Sequence, residues 1–151
     1  VLTGHTGEVT YCAISPDGRL AVSASKYDLT IRTWDLGTYK PLAVFAGHRS
    51  SPFVVCAAGD VLMCRMGLTC ATSADGSVLV SAGTDNTLRV WELHSGREIG
   101  MISFPGSLLC LALHPSLPFA ICGDSTGGVY LVEIKGINYG PIIKNAAALG
   151  G

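Results

Sequence analysis

The chain has 151 residues, 48% of them apolar and only 14% charged, with a net charge of −1. Folded domains usually carry about 25% charged residues, so this one is short of material for covering a surface, although it is long enough to bury a core. The ten Lys and Arg are scattered, which excludes the electrostatic footprint that nucleic acid or an anionic membrane requires.

Six cysteines, Cys12, Cys56, Cys64, Cys70, Cys110 and Cys122, form no CxxC pair and follow no secretory leader in this sequence. They are expected to be buried, reduced thiols, which places the protein in a reducing compartment, the cytoplasm. The apolar stretch "PFVVCAAGDVLMCRMGLTCA" (52–71) is long enough for a membrane span but contains Asp60 and Arg65. Each costs about 2.5–3.5 kcal/mol near the centre of a bilayer, so no span is expected.

In chain order, "TGH" (3–5) precedes a strand a at about 8–14, the turn former "SPDG" (15–18), strand b at about 20–24 with "VSAS" (22–25), strand c at about 29–34 within "DLTIRTWDL" (28–36), and strand d at about 41–45. The same pieces then return in the same order: "AGH" (46–48), "SADG" (73–76), "VSAG" (80–83) and "DNTLRVWEL" (85–93). His5 and His48 lie 43 residues apart and Trp34 and Trp91 57 apart, because an apolar insert at about 50–66 interrupts the second unit. A third copy, "LALHPSLPFAICGDSTGGVYLVEI" (111–134), sets Ile121-Cys122 against Val22-Ser23 and Val132-Glu133 against Trp34-Asp35. A period of about 42 residues built from short apolar runs and Gly, Asp, Asn and Pro turns is the signature of stacked antiparallel sheets. Strand c of the second unit alternates Thr87, Arg89 and Trp91 with Leu88 and Val90, so both faces need cover, as in a blade between two blades.

Five landmarks in fixed order, occurring twice, resemble the WD-repeat family of β-propellers. The resemblance implies an all-β fold, a partial β-propeller of about three four-stranded antiparallel blades. The blades fall at about 4–46, 47–104 (with the insert) and 105–143, and 144–151 form a disordered tail. It also implies a structural tetrad per blade: His5, Ser23, Asp28 and Trp34 in the first, His48, Ser81, Asp85 and Trp91 in the second. In the third unit the corresponding residues are Cys122, Thr126 and Val132, with Gly106-Ser107 replacing Gly-His, so no such network is expected there, and that blade should be held mainly by packing and be the softest of the three.

Members of the family usually serve as non-catalytic platforms for protein or peptide partners, with specificity carried on the loops. On the face formed by the d–a and b–c turns the candidates are Thr6, Glu8, Lys26, Tyr27, Arg49, Ser50 and Thr84. Tyr27 and Arg49 are the best anchors, since Tyr and Arg are enriched at binding hot spots. The phrasing of "CAISPDGRLAVSAS" and "GINYGPII" is similar to WD-repeat regions that end bacterial NACHT or NB-ARC signalling ATPases, which implies a ligand-sensing part.

Chemical motifs are explained by turns. "GDSTGG" (123–128) resembles a serine-protease nucleophile segment, but no placed His and Asp support Ser125, and Gly127 and Gly128 suit a tight turn. His94 and His114 stand alone, and no phosphate loop, dinucleotide fingerprint or zinc pattern is present. No cofactor and no metal site are expected.

Val1-Leu2-Thr3 aligns with Val44-Phe45-Ala46, so the chain is expected to open on the end of a preceding blade and to be part of a longer protein. Propellers run about 4–8 blades. If each open side bares about 500 Å² of apolar surface, its burial is worth about 12 kcal/mol gross, comparable to the net stability of a domain. An isolated arc should therefore be sticky or oligomeric. Two chains could close six blades, with a parent protein the more economical explanation.

Overall fold

Runs of six or seven β-branched, aromatic and aliphatic residues between turn formers pair here as hairpins, each strand with the next in sequence. The computed structural model describes residues 1–15, 18–50, 69–72, 78–113, 118–135 and 142–148. Blade one consists of β1 (Val9–Ile14), β2 (Leu20–Ser25), β3 (Thr30–Asp35) and β4 (Lys40–Ala46). Blade two consists of β5 (Thr69–Thr72), β6 (Val78–Ala82), β7 (Thr87–Glu92) and β8 (Glu98–Ser103). Blade three consists of β9 (Leu108–Leu113), β10 (Phe119–Asp124), β11 (Val129–Lys135) and β12 (Ile142–Ala148). All pairings are antiparallel, and no described residue is helical.

Register makes the three blades equivalent position by position. Leu79 stands opposite Trp91 as Ala21 stands opposite Trp34 and Ala120 opposite Val132. Val80 opposite Val90 corresponds to Val22 opposite Thr33 and to Ile121 opposite Leu131. Because successive side chains leave opposite faces of a strand, the first set forms one face of each blade, called leading here, and the second the trailing face.

Two cores follow. The trailing face of blade one (Val22, Ala24, Ile31, Phe45) packs on the leading face of blade two (Leu79, Trp91, Leu93), with the Phe45 and Trp91 rings edge to face at 5.8 Å. The trailing face of blade two (Val80, Ala82, Leu88, Val90) packs on the leading face of blade three (Ala120, Val132, Ile134). Every residue of β6 is buried, because blade two alone is covered on both sides.

The outermost strand of blade three is Ile142–Ala148 and pairs with β11, so it takes in 144–148 of the expected tail, and 149–151 lie outside the described residues. Cys12 and Cys110 are exposed, not buried, while Cys122 is buried, and all three are free thiols. Cys12 lines the groove on the leading face of blade one, against which no other described blade packs. Cys110 packs beside Gly123 on the trailing face of blade three, a Cβ on that glycine falling 2.8 Å from its Sγ. The side chains of Cys56, Cys64 and Cys70, His114, the "SADG" turn and residues 51–66 of the insert lie outside the described residues.

Candidate functional site

Strand b carries a serine, strand c a tryptophan, the b–c turn an aspartate and the d–a loop a histidine, and the fold brings all four together twice. In blade two, the indole N–H of Trp91 donates to Ser81 Oγ (2.8 Å), Ser81 Oγ lies 2.8 Å from His48 Nε2, and His48 Nδ1 lies 3.0 Å from Asp85 Oδ2. In blade one, Trp34 donates to Ser23 Oγ (2.8 Å), Ser23 reaches His5 Nε2 (2.8 Å), and His5 Nδ1 reaches Asp28 Oδ2 (2.8 Å). A carboxylate can only accept. It therefore draws the imidazole proton to Nδ1, Nε2 accepts from the serine hydroxyl, and the serine lone pair is left for the indole. Each link fixes the next.

Residues outside the expected tetrads complete the lock. Thr30 and Thr87 donate from their hydroxyls to Asp28 and Asp85 at 2.7 Å, and their backbone N–H groups donate to the same oxygens. The backbone N–H of Thr6 donates to Asp28 (3.0 Å) and that of Arg49 to Asp85 (2.9 Å). Burial pushes the Asp28 carboxyl up, but hydrogen bonds from Thr30, His5 and the Thr6 N–H outweigh it and hold it well below the usual carboxylate range. Asp85 behaves alike, burial being outweighed by His48, Thr87 and the Arg49 N–H.

The glycine before each histidine has a steric cause. A Cβ on Gly47 would sit 2.8 Å from Arg89 Nη1 and 2.9 Å from Trp91 Cη2, and one on Gly4 would meet Arg32 and Trp34 in the same way. Arg89 is buried, bonded to Glu98 and, through Nε, to Thr87 Oγ1 (3.3 Å). Its counterpart Arg32 has no such carboxylate at that place, because Trp34 pairs with Pro41 where Trp91 pairs with Glu98. The Arg32 Nε is buried without a partner, as is the Thr33 hydroxyl.

Blade three, where no network was expected, has one of its own. Asp124, at the end of β10, accepts from Thr126 Oγ1 (2.7 Å), from the N–H groups of Thr126 and Gly128, and from the Tyr130 hydroxyl (2.9 Å). These bonds, the Thr126 hydroxyl foremost, bring its carboxyl down to about 2, while the bond to Asp124 raises the Tyr130 phenol. The Tyr130 ring packs on Phe104 at 4.8 Å. Burial pushes the Cys122 thiol, which stands at the serine position, up to about 12. Ser107, at the histidine position, donates to Thr84 O and Asn86 Oδ1 of blade two. Ser125 is exposed in a turn closed by Gly127 at φ 91° and accepts from the Ser107 N–H.

Strand topology places the d–a loops and b–c turns at one end of each blade. There Tyr27 is 67% exposed with the Lys26 ammonium 5.5 Å from its ring centroid, and the Ser50 and Thr84 hydroxyls bond at 2.8 Å. Thr6, Glu8 and Arg49 are exposed. Among the described residues, no group of three or more His, Cys, Asp or Glu could hold a metal ion, and no helix is long and apolar enough to cross a membrane.

Comparison with known proteins gives one answer. The WD40 profile (WD domain, G-beta repeat) matches residues 1–35 and 39–92, and that of the TEP-1 C-terminal beta-propeller matches 69–134. WD repeat-containing protein 37 of Homo sapiens and of Xenopus tropicalis are each 33% identical over 99 residues, 64% of this chain but 17% of theirs. The chain thus spans a small part of these relatives. The Myceliophteria thermophila Cps50 (Swd1) β-propeller domain superposes with a TM-score of 0.73 at 19% identity, over 97% of this chain and 40% of that one. The RRP9 WD40 repeats also give 0.73, at 20% identity over 99% and 41%. WD40 repeat domains generally serve as protein-interaction scaffolds and are typically non-catalytic. This chain, an all-β array of three antiparallel blades, belongs to the WD40-repeat family of β-propellers.

Proposed function

We propose that the chain is a non-catalytic, partner-binding part of a WD-repeat propeller that reads a protein or peptide ligand on its d–a and b–c loops, in a cytoplasmic signalling or sensing assembly. The observation that carries this reading is how the loops are held. Asp28 and Asp85 grip the backbone N–H groups of Thr6 and Arg49, while the side chains of Arg49 and Tyr27 stay exposed. Rigid backbone with free side chains is preorganised for recognition, since little ordering cost remains to be met on binding. Free thiols at Cys12, Cys110 and Cys122 are in keeping with a reducing compartment.

The Ser–His–Asp order of the tetrads is that of a hydrolytic triad, and in blade two burial argues against that use. Ser81 is 0% exposed and its hydroxyl is held between the Trp91 N–H and His48 Nε2, so an acyl carbon has no access to its Oγ.

A phage-displayed peptide library panned on the purified chain tests the reading. Selected peptides should lose at least about tenfold in affinity, roughly 1.4 kcal/mol, on Tyr27→Ala or Arg49→Ala with the melting curve unchanged. Peptides indifferent to both variants refute the loop-face assignment. Turnover of generic ester, peptide or phosphate substrates that a loop substitution abolishes refutes the non-catalytic one.

A further inference from the structure

We propose that Arg32 is an open carboxylate receptor, and that blade one binds there the Asp or Glu side chain of a partner peptide. The template for this contact lies one blade further on in the same chain. Arg89 holds the repeat-equivalent place, opposite Ser81 as Arg32 is opposite Ser23. Its Nη1 is ion-paired with Glu98 and its Nε donates to Thr87 Oγ1. Blade one repeats the arginine, the threonine as Thr30, and the glycine that lies against Nη1, Gly4 for Gly47. It lacks the acid, because Pro41 stands opposite Trp34 where Glu98 stands opposite Trp91.

What remains is a cation without a counter-ion. Arg32 Nε is buried with no hydrogen-bond partner, and no ion pair joins its guanidinium to a described residue. A buried lysine can shed its proton, but an arginine stays charged at any working pH. Enclosed charge that cannot be neutralised is unfavourable until an anion with matching acceptors meets it. The residue is half-buried and Nε is its one nitrogen sealed off without a partner, so the terminal amino groups are left for an incoming acid.

Pro41 sets this opening within blade one, whatever flanks the blade. Glu98 belongs to the same sheet as Arg89, so the acid that blade one lacks is one of its own positions. The rim beside the arginine is also exposed in both blades. Val44, paired with Arg32, is 44% exposed, and Met101, paired with Arg89 in the blade that is covered, is 49% exposed. Residues paired across a ladder share a face, so a ligand acid meets Arg32 beside an apolar side chain. The fitting partner segment is an acidic residue flanked by apolar ones. The site uses none of the side chains assigned to the loop face, so the two readings stand or fall separately.

Heteronuclear NMR spectra of the arginine Nε–H groups, recorded as acetyl-Leu-Glu-Val-amide is added to the purified chain, are the test. Arg32→Gln identifies the Arg32 signal by its loss. That signal should move and saturate while the Arg89 signal stays. The Gln analogue of the peptide should bind at least about tenfold more weakly, since hydrogen bonds between charged groups exceed neutral ones by that much. Pro41→Glu keeps Arg32 and supplies the acid of blade two, so it should shift the Arg32 signal with no peptide present and abolish the titration. Tyr27→Ala and Arg49→Ala should leave the titration unchanged. An Arg32 signal that does not respond overturns the proposal. So do equal responses to the Glu and Gln peptides or to inorganic phosphate, or a titration that survives Pro41→Glu.

Discussion

Ser81→Ala removes the one atom through which the blade-two lock is transmitted, and the structure sets the size of the loss. The Trp91 indole N–H loses its acceptor and His48 Nε2 its donor. Trp91 and His48 are 1% and 6% exposed, much as Trp34 and Ser23 are in blade one (3% and 6%), but they do not line the groove that opens on blade one, so water has no such route to them. A buried polar group stripped of its partner costs about 1–3 kcal/mol, hence about 2–6 kcal/mol for the pair, against a domain stability of about 5–15 kcal/mol. Ser23→Ala is the same chemical change in blade one, but Ser23, His5 and Trp34 line the open groove. Water can enter there and replace the hydroxyl at about 0–2 kcal/mol. Urea titration should therefore show a larger drop in midpoint for Ser81→Ala than for Ser23→Ala, with unchanged slopes. Tryptophan emission is a suitable signal, because the only two tryptophans are Trp34 and Trp91, one in each lock. The reasoning is refuted if Ser81→Ala lies within about 0.5 kcal/mol of its parent, the scale of an ordinary surface substitution, or if Ser23→Ala costs more.

Asp28 and Asp85 are held below their unfolded value of about 3.9, so the stability they confer is complete above that value and drains as pH falls through the lower folded one. Melting temperature should be flat from pH 7 to about 5 and fall below about 4, with Asp85→Asn less stable at neutrality and flatter in acid; a chain that gains stability on acidification contradicts this. Thr33→Val should stabilise by about 1 kcal/mol, because the buried Thr33 hydroxyl has no partner and the equivalent position in blade two is Val90. Thermal unfolding that shows a loss instead would reveal a bond the hydroxyl makes. Tyr39 is 72% exposed at φ 57°, where the corresponding turn of blade two has Gly96 at φ 73°. Tyr39→Gly relieves about 1–2 kcal/mol of left-handed strain and adds about 0.4–1 kcal/mol of unfolded-chain freedom. A net gain of about 0.5 kcal/mol in a denaturant titration is expected, and a loss would show the tyrosine ring to be packed in its turn.

Strands were legible to within a residue or two wherever a motif recurred: strand c, read at 29–34, is Thr30–Asp35. The locking residues missed from sequence were also written twice, as a threonine two places after Asp28 and Asp85, while the arginine two places before each tryptophan joins the lock only as Arg89 in blade two. Reading the tetrad as four residues hid them. Blade three shows a different limit. Alignment put Thr126 at the aspartate position, yet the carboxylate in use is Asp124, which occupies the place of Gly83: Asp124 N–H bonds Gly128 O as Gly83 N–H bonds Thr87 O. A phenol reaching across from β11 then satisfies it, and positional correspondence cannot register a partner that moves to another strand. The exposure of Cys12 and Cys110 was unreadable for a third reason. Their local pattern is that of core strands, and only their place on the two outer blades leaves them uncovered.

Stability and recognition are separated at the level of single atoms in this fold. The lock takes from positions 6 and 49 only a backbone N–H, which every residue but proline supplies. Side chains there are free of the tetrad, so exchanging Arg49 for another residue alters what the loop face can bind without disturbing His48, Ser81 or Trp91. Cover, in turn, depends on neighbours: the same alternation that is buried throughout β6 is half exposed in β10. A blade is thus held from its flanks and locked from within, while the turns that close it remain free to carry the surface a partner meets.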